Sequence, residues 1–117
     1  MSSEANQGYM TRQGLNYEQR TVTATCTLRT GRATDIFMAD SVVIVEDPAA
    51  DVTLTVPDGV QVGQTMIIVF ESNDDSKTLT VTTTTGTDYS STTAGQYTYI
   101  IWSGATSGWL KVSGTFS

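Results

Sequence analysis

Residues 51–112 constrain the fold most strongly, because polar and apolar residues alternate there in short runs that turn signals separate. The turns fall at Pro57-Asp58-Gly59, Gly63-Gln64, Gly95-Gln96 and Gly108-Trp109. Many of the polar positions are threonines, of which the chain has 22, and a β-branched hydroxyl residue suits the solvent face of a strand. The pattern predicts a small all-β domain without long helices.

The apolar runs predict the individual strands. Residues 21–29 alternate with Val22, Ala24, Cys26 and Leu28 on one face, which is typical of a half-buried strand. The continuous run at residues 42–45 predicts a strand buried on both faces. Residues 72–76 are read as a polar hairpin loop, residues 86–94 as a polar loop or weak strand, and Gly63 and Gly95 as turn or bulge positions that require positive φ. Further strands are predicted at residues 35–38, 52–56, 65–70, 79–82, 97–102 and 109–112.

Taken together, these runs predict one small β-sandwich or barrel of about eight short, mostly antiparallel strands. The β-domain is expected to span residues 21–117. Residues 1–20 have only scattered apolar side chains and are read as an extended N-terminal arm. A chain of 117 residues is long enough for one core.

Charge and cysteine content exclude several classes of function. The net charge is −6, with +2 in residues 1–32 and −8 in the remainder. An acidic body argues against nucleic acid as a partner, because phosphate binding depends on clustered lysine and arginine. Cys26 is the single cysteine and is read as a small buried residue, so no intramolecular disulfide is expected. No apolar run is long enough to cross a membrane and no signal peptide is visible, so synthesis in a host cytoplasm is expected.

The residues offer little for catalysis, and we predict that the chain is not an enzyme and needs no cofactor. The chain has no histidine, which excludes Ser-His, Cys-His and His-metal arrangements. Asp74 and Asp75, with Asp88, are the acidic grouping most like a cation site, but residues 73–76 lack the alternating ligands and glycine of a calcium loop and are read as a turn. We predict no metal site.

The order of turns resembles the small β-domains of tailed-bacteriophage virion proteins, including head decoration (cement) proteins and fibres. The resemblance lies in VTLTVPDGVQVGQTMIIVF, then KTLTVTTTTGT, then AGQYTYIIWSGATSGWLKV. In those domains a strand ends in a Leu/Val-Pro turn, Gly-Gln begins a central strand, and a second Gly-Gln strand pairs with a terminal Gly-x-Trp strand. The last element here reads Gly108-Trp109, without the intervening residue.

The resemblance implies a decoration protein on the outer surface of the expanded head, bound to the major capsid protein at junctions between its subunits. It also implies a homotrimer. An extended arm can add to an exposed strand edge and arginines can pair with carboxylates, so the predicted capsid contacts are Tyr9, Arg12, Tyr17 and Arg20. The predicted subunit-interface residues are Trp109, Leu110, Val112 and Phe116.

Two alternatives remain open at the level of sequence. A head-fibre or tail-fibre (receptor-binding) module would use the same β-domain, although no coiled-coil heptads or collagen-like repeats precede it. A carbohydrate-binding module would need an aromatic platform, for which Tyr97 or Trp102 would be the test residues. Strand spacing, however, places Tyr97 and Tyr99 on one face and Ile100 and Trp102 on the other, which favours packing over a platform.

Overall fold

The computed structural model describes residues 16–32 and 38–117, which form nine β-strands in two sheets and no helix. The five-stranded sheet has the order β1-β3-β5-β8-β9 and the four-stranded sheet the order β2-β4-β6-β7. Both sheets are open, so the sandwich prediction is confirmed and the barrel alternative is wrong. The strands are β1 (Asn16–Val22), β2 (Cys26–Thr27), β3 (Met38–Glu46), β4 (Val52–Val56), β5 (Thr65–Ser72), β6 (Leu79–Thr83), β7 (Tyr89–Ser91), β8 (Gln96–Trp102) and β9 (Trp109–Gly114).

The first six strands alternate between the two sheets, so each strand pairs with the one two positions away along the chain. The pairs β1–β3, β3–β5, β2–β4 and β4–β6 are all parallel. Parallel neighbours need a long crossover, and here each crossover is a strand of the opposite sheet. The prediction of mostly antiparallel strands is therefore wrong for this half of the domain. It holds for β5–β8, β6–β7 and β8–β9, which are antiparallel.

Two of the local predictions fail because the chain changes sheet. The alternation over residues 21–29 is divided between β1 and β2, with bends at Thr23 and Ala24 and with Ala24 exposed. The predicted hairpin at residues 72–76 joins β5 to β6, which lie in different sheets. Its polar residues form a connection instead, in which the Asn73 side chain bonds the backbone of Lys77. The predicted strand at residues 35–38 lies outside the described residues except for Met38, where β3 begins.

Both sheets turn one face toward a shared core. Phe70, Ile68, Leu54 and Val81 are fully buried there, because the inward positions of β4, β5 and β6 are apolar. Trp102 and Trp109 pack with ring centroids 5.6 Å apart, and the Trp109 indole Nε1 donates to the Pro57 carbonyl at 2.8 Å. Trp109 therefore closes the core with its polar atom satisfied.

Glycine is required where the chain turns or approaches a neighbour closely. Gly63 and Gly95 have φ values of 98° and 88°, which confirms the predicted positive-φ turns. Gly59 has a different role, because a Cβ atom there would lie 2.4 Å from Cγ of Trp102. The loop before β5 can therefore cover the tryptophan only with glycine at this position.

Candidate interaction surfaces

The outer face of the five-stranded sheet is apolar across four neighbouring strands. Register places Val42, Ile67 and Tyr99 side by side in one row, and Ile44, Val69 and Tyr97 in the next. A third row joins Ile101 to Leu110. We call these eight residues the apolar face: Val42 and Ile44 of β3, Ile67 and Val69 of β5, Tyr97, Tyr99 and Ile101 of β8, and Leu110 of β9.

The apolar face is open to contact. All eight of its side chains are partly or well exposed, with Tyr97 at 39% and Leu110 at 42%. The prediction that residues 42–45 are buried on both faces is thus correct for the inner positions Val43 and Val45 and wrong for Val42 and Ile44. The same rows continue into Gln19, Thr21, Thr65 and Ser113, none of which is charged.

The outer face of the four-stranded sheet has the opposite chemistry. Thr27, Thr55 and Thr82 lie in one row, and Thr53, Thr80 and Ser90 lie in another. We call these six residues the threonine face. All six are at least partly exposed. Hydroxyl groups on a solvated sheet keep that face soluble, so the two outer surfaces of the sandwich differ in what they can bind.

Two of the four predicted subunit-interface residues are enclosed by their own chain. Trp109 and Phe116 have no exposed surface, so in this fold they support the core and cannot contact a second copy. Leu110 belongs to the apolar face, and Val112, at 57% exposure, lies beside it on the edge strand β9. Leu110 and Val112 are therefore the members of that set that remain accessible to a partner.

Two of the four predicted capsid contacts lie before β1 and two lie within it. Tyr9 and Arg12 lie outside the described residues, as does most of the predicted arm. Residues 16–20 belong to β1, which makes them part of the sheet and places the arm boundary before Asn16. Tyr17 is partly exposed. Arg20 is engaged within the chain, since its Nη1 donates to Asp40 Oδ2 at 3.1 Å and to the Thr27 carbonyl at 3.4 Å.

Asp40 is the centre of a buried charge network that the sequence did not predict. Its side chain is fully buried and accepts hydrogen bonds from the Arg29 backbone N–H at 2.8 Å, from Arg29 Nη2 at 2.8 Å and Nε at 3.2 Å, and from Arg20. Arg29 Nη2 also donates to Glu18 Oε1 at 3.0 Å. These bonds raise the pKa of Arg29, chiefly through the hydrogen bond to Asp40. The network ties β1 and β3 to the segment that follows β2.

Cys26 lies near this network, and its thiol is partly buried. That burial is the main reason the pKa of the thiol is raised; the positive charge of Arg20 opposes the effect. A raised pKa leaves less thiolate at neutral pH. The prediction of a small buried residue is therefore met only in part, because Cys26 packs against the core but is only partly buried.

Acidic side chains gather where β3 and β5 end. The Glu46 carboxyl shares a hydrogen bond with Glu71, which raises the pKa of Glu46. Asp47 Oδ1 accepts from the Asp74 backbone N–H at 2.9 Å. Within residues 16–32 and 38–117, no group of three or more cysteine and acidic residues is placed to hold a metal ion.

An aromatic carbohydrate platform built on Trp102 does not form. Trp102 faces the core at 3% exposure, whereas Tyr97 and Tyr99 face outward, as the strand spacing predicts.

No helix long and apolar enough to span a membrane occurs in the part of the chain that the structure describes.

Comparison with known proteins supplies no relative. No protein-family model matches the chain, and no curated protein matches it. The resemblance to phage virion domains therefore remains a prediction from the turn order.

Proposed function

We propose that this chain is a structural protein of a tailed-bacteriophage virion: a decoration protein that binds the outside of the expanded head at junctions between major capsid subunits and stabilises it. It acts as a homotrimer. The observation that best supports an assembly of several copies is the apolar face, a continuous uncharged surface on a chain with net charge −6. A patch of several hundred Å² is among the largest that a soluble monomer usually exposes, and such patches are often functional.

The binding mechanism follows from linkage. A protein that binds only the expanded lattice stabilises that lattice, by about 2.7 kcal/mol per site when its free concentration is a hundred times its Kd. Linked copies that engage neighbouring sites gain further through effective concentration. A domain with two open sheets around one packed core can carry such contacts without rearranging.

Residues 1–15 are the proposed capsid contact, with Tyr9 and Arg12 as its recognition residues. Arg20 was part of the same prediction, but pairing with a capsid carboxylate would require it to leave the buried Asp40. Removing one partner from a buried ion pair is costly, so Arg20 is better explained as part of the fold. The proposal accordingly places the contact before β1.

Binding to purified heads tests this function. We expect the chain to co-sediment with expanded heads of its phage and not with unexpanded ones. Deletion of residues 2–15, which leaves β1 intact, should abolish binding. Arg12→Ala should weaken binding more than Lys77→Ala, which removes one positive charge from the body of the domain. If the deleted chain binds as well as the full chain, the arm is not the contact, and if the full chain ignores expanded heads, the proposed function is wrong.

A further inference from the structure

The apolar face has the composition of an interface between copies of one chain. Interfaces that bring together independently folded partners are about as polar as the rest of a protein surface, whereas permanent and homo-oligomeric interfaces are more apolar. Six aliphatic side chains and two tyrosines form this face, and its rows hold no charge. Its chemistry therefore differs from that expected for reversible docking on a finished capsid.

Charge also favours a second copy as the occupant. Each chain carries −6, so most contacts between two copies bring carboxylates together. Within the described residues, Glu71 follows Val69 by two positions and meets Glu46, so this carboxyl pair borders the outer face just beyond the last apolar row. Copies that meet through the apolar rows keep these carboxylates at the margin of the contact rather than in its centre.

The size of the face sets the expected strength. Four strands spaced about 4.8 Å apart and rows spanning about 14 Å give a patch of roughly 400 Å² per copy once side-chain width is included. A standard interface buries about 800 Å² per partner. Val112 extends the patch at the β9 edge, and Val62, at 67% exposure, lies against Gly104 beyond its end. A contact of this size is at the low end of specific interfaces, where weak association is the usual case.

We infer that copies of this chain associate with one another through the apolar face, with Ile67 at its centre. Ile67 lies between Val42 and Tyr99 on the middle strand of the sheet. The inference rests on the proposed function only for the number of copies, which is three. It assigns the contact between subunits to the sheet surface, with Leu110 and Val112 at its margin.

Sedimentation velocity of the purified chain, without heads, tests the inference. At tens of micromolar the full chain should sediment as an oligomer. Ile67→Lys should reduce the association constant about 30-fold or more and shift the chain toward monomer, because the charge would be buried between apolar surfaces. The matched control is Thr80→Lys, which adds the same charge to the middle of the threonine face and should remain oligomeric.

Ile67→Thr is a second variant, for the case that Ile67→Lys does not fold. Threonine is a good strand residue and already covers the other outer face. It should retain the circular dichroism and melting of a folded domain while dissociating. The inference is wrong if the full chain is monomeric at these concentrations, whether or not residues 1–15 cover the face. It is also wrong if the chain is an oligomer that Ile67→Lys leaves intact. An oligomer that ignores expanded heads would contradict the proposed function alone, and a monomer that binds heads would contradict this inference alone.

Discussion

Replacing the buried Asp40 should cost more stability than any other single charge change in the described fold. Asp40→Asn keeps the size of the side chain but removes its charge and turns an N–H donor toward groups that themselves donate. Breaking a buried ion pair typically costs 3–5 kcal/mol. Arg29 and Arg20 retain 24% and 31% side-chain exposure and can recover some hydration, so the lower end of that range, about 3 kcal/mol, is expected.

Urea denaturation followed by tryptophan fluorescence measures this loss, because Trp102 and Trp109 are both in the core. With a slope of about 1–2 kcal/mol per molar, the midpoint should fall by about 2 M while the slope stays unchanged. Out of a total stability of about 5–15 kcal/mol, that is a large fraction.

Glu18→Gln provides the control. Glu18 contacts the same network through one bond to Arg29, but 42% of its side chain is exposed, so its loss should cost less than about 1 kcal/mol. If the two substitutions cost the same, or if Asp40→Asn costs under about 1 kcal/mol, the network does not stabilise the fold as described.

Three further predictions concern the core and the acidic end of the sheets. Gly59→Ala should destabilise the domain by about 1–3 kcal/mol, because the new Cβ would overlap Trp102; a shift in fluorescence and in the urea midpoint would show it. Thr98→Val should leave stability unchanged or raise it by up to about 1 kcal/mol, because the Thr98 hydroxyl is buried with no hydrogen-bond partner among the described groups. Glu46→Gln should raise the melting temperature at pH 7 by removing its repulsion with Glu71. The folded pKa of Glu46 is raised above 4.5, so the proton that lets the two carboxyls share a hydrogen bond is bound below pH 4.5 and lost as the pH rises. The advantage of the variant should therefore vanish in acid.

Each of these has a result that would contradict it. Gly63→Ala, which faces open space, should cost only the strain of its positive φ and leave the tryptophan fluorescence unchanged, so a Gly59→Ala variant with unchanged fluorescence would contradict the overlap with Trp102. A Thr98→Val variant less stable than the parent by more than 1 kcal/mol would mean that the hydroxyl has a partner. A melting difference for Glu46→Gln that is independent of pH would exclude the proposed repulsion.

Alternation predicted which residues face inward but not which strands pair. Val22 and Leu28 are both buried, as their spacing predicts, yet they lie on either side of a crossing between sheets. Because both sheets face the same core, the alternating pattern continues through the crossing and hides it. Polar residues at 72–76 likewise predict a turn without showing whether the flanking strands are neighbours.

The interaction surfaces needed the register that only the fold provides. The continuous apolar runs at residues 42–45 and 66–70 were a usable signal, because the described residues form two sheets with no third layer over the outward side chains. No sequence pattern showed that Arg20 and Arg29 are bonded to a buried carboxylate. A charged side chain in an exposed arm and one bonded to a buried aspartate look the same in sequence, so Asp40 could not be identified.

Quantitative mass spectrometry of purified virions tests the central proposal most directly, by measuring how many copies of this chain accompany each copy of the major capsid protein. A decoration protein should be present in hundreds of copies per particle and in a fixed ratio to the capsid subunit. A few copies per particle would instead indicate a fibre module, and absence from the particle would contradict a role in the virion.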